Sequence, residues 1–264
     1  MSHDSDYSGL DQPQVLGIIF YPRSVWTKIP PGARDYLIPV DTGVSVSSRF
    51  FPAGKDAPCV LLFHGNGEVA CDYDWLAPVY NQESISLFVA DYRGYGRSGG
   101  APSFSRMVRD AHPIFQFFLE TMRLQENTGP FFIMGRSLGT ASALELAFHY
   151  PDHFAGLIVE SGAPNMVRLL AHHGFPVDRK KMGTLEASFD DGVKSITPPA
   201  LIIHGAADML IPPAEARRLY QHIGSCDKRL VIIPGVGHND IMVSAVTEYI
   251  RAIREFVFSK KAAG

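Results

Sequence analysis

The chain has few cysteines: Cys59, Cys71 and Cys226 cannot all pair with one another, and none sits in a C-x-x-C. That count suits free thiols in a reducing compartment and argues against a disulfide scaffold. No apolar run approaches the roughly 20 residues that span a bilayer. The opening Met-Ser-His-Asp-Ser-Asp-Tyr offers neither a basic n-region nor an apolar h-region, so a secretory signal is not expected. A cytoplasmic location without a stable membrane anchor is the expectation. There is no excess of positive charge either, with 24 Lys and Arg against 27 Asp and Glu and a net charge of -3. Such a balance gives no global field for nucleic acid or anionic lipid. The short cluster Arg179, Lys180 and Lys181 reads as a solvated loop. Cys and His positions are dispersed, so no metal site is expected, and no cofactor is called for.

No Gly/Ser-rich or Pro-rich linker and no internal repeat divides the 264 residues. One domain over 15–258 is expected, after a polar segment 1–14 expected to be mobile. Short apolar or alternating runs come first, at Gly17–Phe20, Tyr36–Val40 and Val44–Phe51. From residue 59 the runs become compact and almost wholly apolar: Cys59–Phe63, Ser86–Ala90, Phe131–Met134, Ala155–Val159, Ala200–Ile203 and Leu230–Ile233. Strands buried on both faces read this way, which predicts a parallel sheet under helices. Helical stretches alternate with them, at Ser105–Met122, Leu138–His149, Pro213–His222 and Ile241–Phe258. The fold class is therefore α/β, a doubly wound sheet with right-handed crossovers. The interval between Val159 and Ala200, about forty residues, exceeds what a simple crossover needs. It reads either as a crossover helix with long loops or as a small cap at 163–195.

The strongest chemical signal is Gly135-Arg136-Ser137-Leu138-Gly139, between an apolar strand and an Ala-rich helix. In that setting G-x-S-x-G presents a serine hydroxyl on a tight turn above the sheet edge. Ser137 is the expected nucleophile, and the Leu138 N–H faces the charge that develops on the substrate oxygen. A serine needs a base to take its proton. His238 lies in a loop after the last apolar strand, in Pro234-Gly235-Val236-Gly237-His238-Asn239-Asp240, and is the expected base. Asp208, in His204-Gly205-Ala206-Ala207-Asp208, follows another strand end and is the expected acid orienting the base. Glu160, after Val159, is its rival, whereas Asp240 is too near His238 and is expected to shape the loop. The chain order Ser, Asp, His is the order this fold uses.

A second oxyanion donor is expected from His64-Gly65-Asn66-Gly67, with the Asn66 N–H first and Gly65 behind it. His64 itself is expected to be a structural hydrogen bonder, and His172 and His173 surface or rim residues. Asp91-Tyr92-Arg93-Gly94-Tyr95-Gly96-Arg97-Ser98 lacks the spacing of a phosphate loop and reads as a rigid turn beside the site.

Taken together, HGNG at 64–67, DYRGYGRS at 91–98, GRSLG at 135–139, HGAAD at 204–208 and GHND at 237–240 resemble the α/β-hydrolase superfamily. Within it they are similar to small HGN-motif hydrolases, the serine-aminopeptidase-like proteins and protein depalmitoylases. The resemblance spans roughly 15–258. It implies an eight-stranded, mostly parallel sheet and a metal-independent hydrolase using Ser137, Asp208 and His238, with Asn66 and Leu138 at the oxyanion hole. The anchor or Cys-rich tail of some members is not visible here. Where relatives often have Glu-Asn-Thr-Phe, this chain has Glu160-Ser161-Gly162-Ala163, so a different cleft rim is expected. The expected substrate is a small acyl ester or thioester. The alternatives are an aminopeptidase-like amide hydrolase, with Asp190 and Asp191 as amine-binding candidates, and a non-catalytic binding protein with the hydrolase fold.

Overall fold

The computed structural model describes residues 6–175 and 179–259. Eight strands form one sheet: β1 (Arg34–Asp41), β2 (Val44–Phe51), β3 (Cys59–Phe63), β4 (Ser86–Ala90), β5 (Phe131–Arg136), β6 (Gly156–Glu160), β7 (Ala200–Gly205) and β8 (Lys228–Ile233). Their spatial order is β1-β2-β4-β3-β5-β6-β7-β8. The pairs β1–β2 and β2–β4 are antiparallel, and every later pair is parallel. This is the α/β-hydrolase sheet.

The central strands are apolar throughout because both of their faces are covered. Along β3, Leu61 and Phe63 point into one core with Phe88 and Ile133, while Val60 and Leu62 point into the other with Leu87 and Met134. The period-2 alternation of the backbone thus sorts a continuous apolar run into two layers. The first layer lies under α3 (Phe104–Leu124), α4 (Thr140–His149) and α7 (Pro213–His222), and the second under α2 (Ala77–Gln82) and α9 (Val246–Ser259). The edge strand β8 is different, with only Ile233 of its six residues buried.

Two expectations are corrected. Gly17–Phe20 is not a strand: residues 13–19 form helix α1 (Pro13–Ile19), with Pro13 at its start and Val15, Leu16 and Ile19 on the face turned to the core. Proline presets φ for a first helical turn, and a four-residue apolar run does not by itself separate helix from strand. The closing helix is not continuous over Ile241–Phe258. It is split at Ala245, whose ψ of 29° breaks it into α8 (Ile241–Ser244) and α9. Residues 1–5 lie outside the described residues, but Tyr7 and Leu10 are buried in the first core layer.

The interval after β6 contains two helices, α5 (Met166–His172) and α6 (Arg179–Lys194). Asn165 caps α5, its side-chain oxygen accepting from the Arg168 N–H, which satisfies one of the helix's orphan donors. The Asn165 amide donates to Glu186 O in α6 at 2.9 Å, tying the two helices together. Val167, Leu170, Met182, Leu185 and Phe189 bury their side chains beneath them. This pair sits over the carboxyl ends of the parallel strands, where sites of such sheets gather.

Candidate active site

The turn from β5 into α4 is built from close backbone contact. A Cβ on Gly139 would lie 2.1 Å from Phe63 O and 2.8 Å from His64 O, and one on Gly135 2.6 Å from Gly139 O. Only glycine fits at either place, so this turn and the loop after β3 approach main chain to main chain. Between the two glycines Ser137 has φ 51°, a left-handed conformation that costs a residue with a Cβ about 1–2 kcal/mol. The strain lifts its hydroxyl out of the sheet, and Ser137 is partly exposed between buried Arg136 and Leu138.

Three residues distant in sequence meet there. Ser137 Oγ lies 2.9 Å from His238 Nε2, and His238 Nδ1 lies 2.7 Å from Asp208 Oδ2. A carboxylate can only accept, so Nδ1 carries the proton and Nε2 turns its lone pair to the serine. Asp208 is fixed from below as well. Its Oδ1 accepts from the Leu210 and Ile211 N–H groups at 2.9 and 2.8 Å. Burial opposes ionisation of this carboxyl, but the hydrogen bonds from His204, His238 and Ile211 outweigh it and hold the group well below the usual carboxylate range. The sequence reading missed His204, which is fully buried with Nε2 3.2 Å from Asp208 Oδ2 and 2.8 Å from Ile211 O. A histidine on an otherwise apolar strand, four residues before the acid, was the available signal.

Glu160, the rival acid, is engaged elsewhere. Its Oε1 lies 3.2 Å from Arg136 Nε, and its Oε2 accepts from the Tyr249 hydroxyl at 3.0 Å. Burial pushes its carboxyl up, with Arg136 pulling the other way. Asp240 accepts from the Gly237 N–H at 3.0 Å and so shapes the histidine loop, as expected.

Arg136 is the second residue the sequence reading passed over. It is 3% exposed, and besides Glu160 it reaches Glu68 Oε1 at 2.5 Å, His238 O at 3.3 Å and Asn239 Oδ1 at 3.1 Å. Glu68 in turn accepts from the Gly65 N–H at 2.7 Å and the Tyr73 hydroxyl at 3.0 Å. One guanidinium therefore joins the serine turn, the HGNG loop, the end of β6 and the histidine loop. Its signal was a cation at the end of an apolar strand, where burial demands partners.

The loop after β3 is held from both sides. His64 Nε2 lies 3.1 Å from Asp91 Oδ1 and Nδ1 2.8 Å from Gly65 O, so His64 is a buried structural hydrogen bonder. Asn66 Oδ1 accepts from the Tyr21 N–H at 2.7 Å and from the Tyr95 hydroxyl at 2.8 Å. Its side-chain oxygen is thus engaged, and Asn66 and Leu138 both line the cleft at Ser137. The stretch 91–98 is the rigid turn expected: Asp91 also accepts from Ala70 N–H and Ser47 Oγ, and Arg93 makes a two-pronged bond to Asp110.

The space in and above the half-open cleft at Ser137, solvent at its mouth included, is about 800 Å³. Its wall is apolar, made by Ile18 and Ile19 of α1, Phe104, Ala141, Leu144, Met166, Leu169, Leu170, Phe175 and Phe189. Ile18 and Ile19 were not anticipated as lining. His173 stands at the rim, Nε2 2.7 Å from Leu210 O. No acidic side chain lines the cleft among the described residues. Asp190 is taken by Arg168 and Asn165, and Asp191 pairs with Lys194 on the surface. No described helix is long and apolar enough to cross a membrane.

Comparison with known proteins agrees with this architecture. An uncharacterized protein of Mycobacterium tuberculosis is 28% identical over 88% of this chain and 81% of its own. Alpha/beta hydrolase domain-containing protein 17B of Xenopus tropicalis is 29% identical over 81% of this chain and 72% of its own. Among solved structures, the Pyrococcus furiosus esterase Pf2001 superposes with a TM-score of 0.71 over 90% of this chain and 98% of its own, at 18% identity. Residues 54–177 and 179–242 match the family described as "Serine aminopeptidase, S33". The chain belongs to that family of α/β hydrolases.

Proposed function

We propose that the protein hydrolyses carboxylic esters or thioesters through an acyl-enzyme on Ser137. His238 Nε2 takes the Ser137 proton as Oγ attacks the acyl carbon. The N–H groups of Leu138 and Asn66 donate to the oxyanion of the tetrahedral intermediate. His238 then gives the proton to the departing alcohol or thiol. Water, deprotonated by His238, attacks the acyl-enzyme, and the same donors hold the second oxyanion before Ser137 leaves reprotonated. Asp208 keeps the imidazole in the required tautomer and stabilises its cation. The reading is carried by one observation: the 2.9 Å and 2.7 Å contacts through His238 end at a serine that opens onto an apolar cleft. That wall suits an apolar acyl chain, with α5, α6 and the segment 163–195 acting as its cap. Free Cys59, Cys71 and exposed Cys226 suit a reducing, cytoplasmic setting.

The amide-hydrolysing reading has less support. A free amine would need an anionic partner, and Asp190 and Asp191 are already paired away from the cleft. A non-catalytic role would leave the strained φ of Ser137 without a purpose.

The test is labelling with a fluorophosphonate, located by mass spectrometry, together with hydrolysis of p-nitrophenyl esters of increasing acyl length. An adduct on Ser137 and a chain-length optimum are expected, both lost in Ser137→Ala. Turnover retained by folded Ser137→Ala refutes the proposal.

A further inference from the structure

The histidines are dispersed along the sequence, yet the fold gathers two of them around a carboxylate far from Ser137. His112 lies on α3, and Glu145 and His149 lie four residues apart on one face of α4. His112 Nε2 is 3.2 Å from Glu145 Oε1, and His149 Nε2 is 3.0 Å from the same oxygen. One ligand atom from each of the three residues falls within 4.8 Å of the others. We infer that His112, Glu145 and His149 form a binding site for a divalent transition-metal ion of the zinc type, clipping α3 to α4.

Three features support it. The first is spacing: ligands 2.0–2.1 Å from a tetrahedral zinc stand about 3.3–3.4 Å apart, and the observed separations are slightly shorter. The second is charge. The Glu145 side chain is 5% exposed, and its ion pairs among the described residues are with these two imidazoles, without a lysine or arginine. A buried carboxylate calls for a positive partner, which a bound cation supplies. Its second oxygen, Oε2, is buried with no hydrogen bond and is free to join the ligand set. The third is orientation. His112 Nδ1 lies 2.9 Å from the Tyr150 hydroxyl, the outer partner that a ligating imidazole needs to direct its other nitrogen at a metal. His112, 21% exposed at its side chain, leaves a way in from solvent and a place for water as fourth ligand. At 1.5 Å rise per residue, Glu145 and His149 lie about 12 and 18 Å along α4 from Ser137, so the site is separate from the chemistry.

The experiment uses the full chain without a histidine tag, stripped by chelator and dialysed against Zn²⁺. One zinc per chain by elemental mass spectrometry is expected, with a rise in Tm of roughly 5–10 °C at 100-fold excess over Kd. His149→Gln and His112→Gln, checked for folding by circular dichroism, lose at least tenfold in affinity and lose the thermal shift. Cys226→Ser keeps both. Glu145→Gln, if it folds, behaves as the histidine variants do; His112→Gln, at the more exposed position, decides if it does not. Fluorophosphonate labelling of Ser137 proceeds equally with and without zinc. The inference is overturned by sub-stoichiometric binding to the unaltered chain, or by unchanged affinity in both histidine variants. A zinc-dependent block of labelling that persists in His149→Gln overturns it too, since the metal would then sit at His238.

Discussion

Arg136 Nη2 donates to the carbonyl oxygen of His238 at 3.3 Å, so the residue before Ser137 also holds the loop of the proposed base. The same guanidinium pairs with two carboxylates, buried Glu160 and half-buried Glu68. Arg136→Met removes the charge and leaves both acids without it. Breaking a buried pair from one side costs about 3–5 kcal/mol. Denaturant unfolding should show a loss of that order, and ester turnover should fall further than the folded fraction accounts for. A variant as stable and as active as the parent would mean that Arg136 does neither job.

Two glycines give opposite expectations. At Gly139 an added methyl meets Phe63 O at 2.1 Å, and Gly139→Ala should leave little folded, labelled protein. At Gly183, within α6, nothing lies within 4 Å of an added Cβ. Gly183→Ala should stabilise by about 0.4–1 kcal/mol through helix propensity and chain entropy. Chemical denaturation of both variants checks the contrast.

The cleft wall supplies a test of substrate length. Ala141 sits one helical turn after Ser137 and lines the cleft with Leu144. Ala141→Phe fills space next to the acyl carbon without touching His238 or Asp208. The preferred p-nitrophenyl ester should shorten by several carbons, with turnover of the acetyl ester kept. An unshifted optimum would place the acyl chain elsewhere.

Asp208 and Glu160 set opposite slopes of stability with pH. The folded state holds the Asp208 carboxyl below its ordinary value of 3.8, so the unfolded chain takes up that proton first as pH falls. Its contribution is complete above 3.8 and drains away as pH drops towards the folded value. Glu160 is raised above 4.5, so the folded state keeps its proton longer and stability declines as pH rises through that region. Unfolding free energies of the parent and Asp208→Asn, measured from about pH 6 to about pH 3, should converge as the medium becomes acidic. A constant gap across that range would remove Asp208 from the acid limb.

Most of the sheet was legible because its central strands are apolar on both faces. Gly17–Phe20 defeated the same logic. Four apolar residues carry too little periodicity, and the helix there is set by Pro13 and by what Leu16 and Ile19 pack against. Ser137, Asp208 and His238 stood out because each follows a strand end in an ordered series of motifs, and the structure brings the three side chains together. Arg136 and His204 did not stand out. Their importance is a matter of burial and of partners up to 103 residues away, which a linear pattern does not encode. The cleft wall was half legible: the apolar residues of 163–195 were visible, while Ile18 and Ile19 reach it only through the path of α1 across the surface.

That path has a consequence for how such a protein diversifies. The turn that carries Ser137 has no room for an extra methyl at Gly135 or Gly139. Part of the cleft wall comes from α1 and from the two helices after β6, elements outside the turn at Ser137, while Ala141 and Leu144 come from α4 beside that turn. On the proposed function, changes in α1, α5 or α6 alter what the cleft prefers to bind while Ser137, Asp208 and His238 stay where they are. Part of the preference is thus inherited on stretches of chain separate from Ser137, Asp208 and His238, and selection can act on those stretches without moving the three side chains.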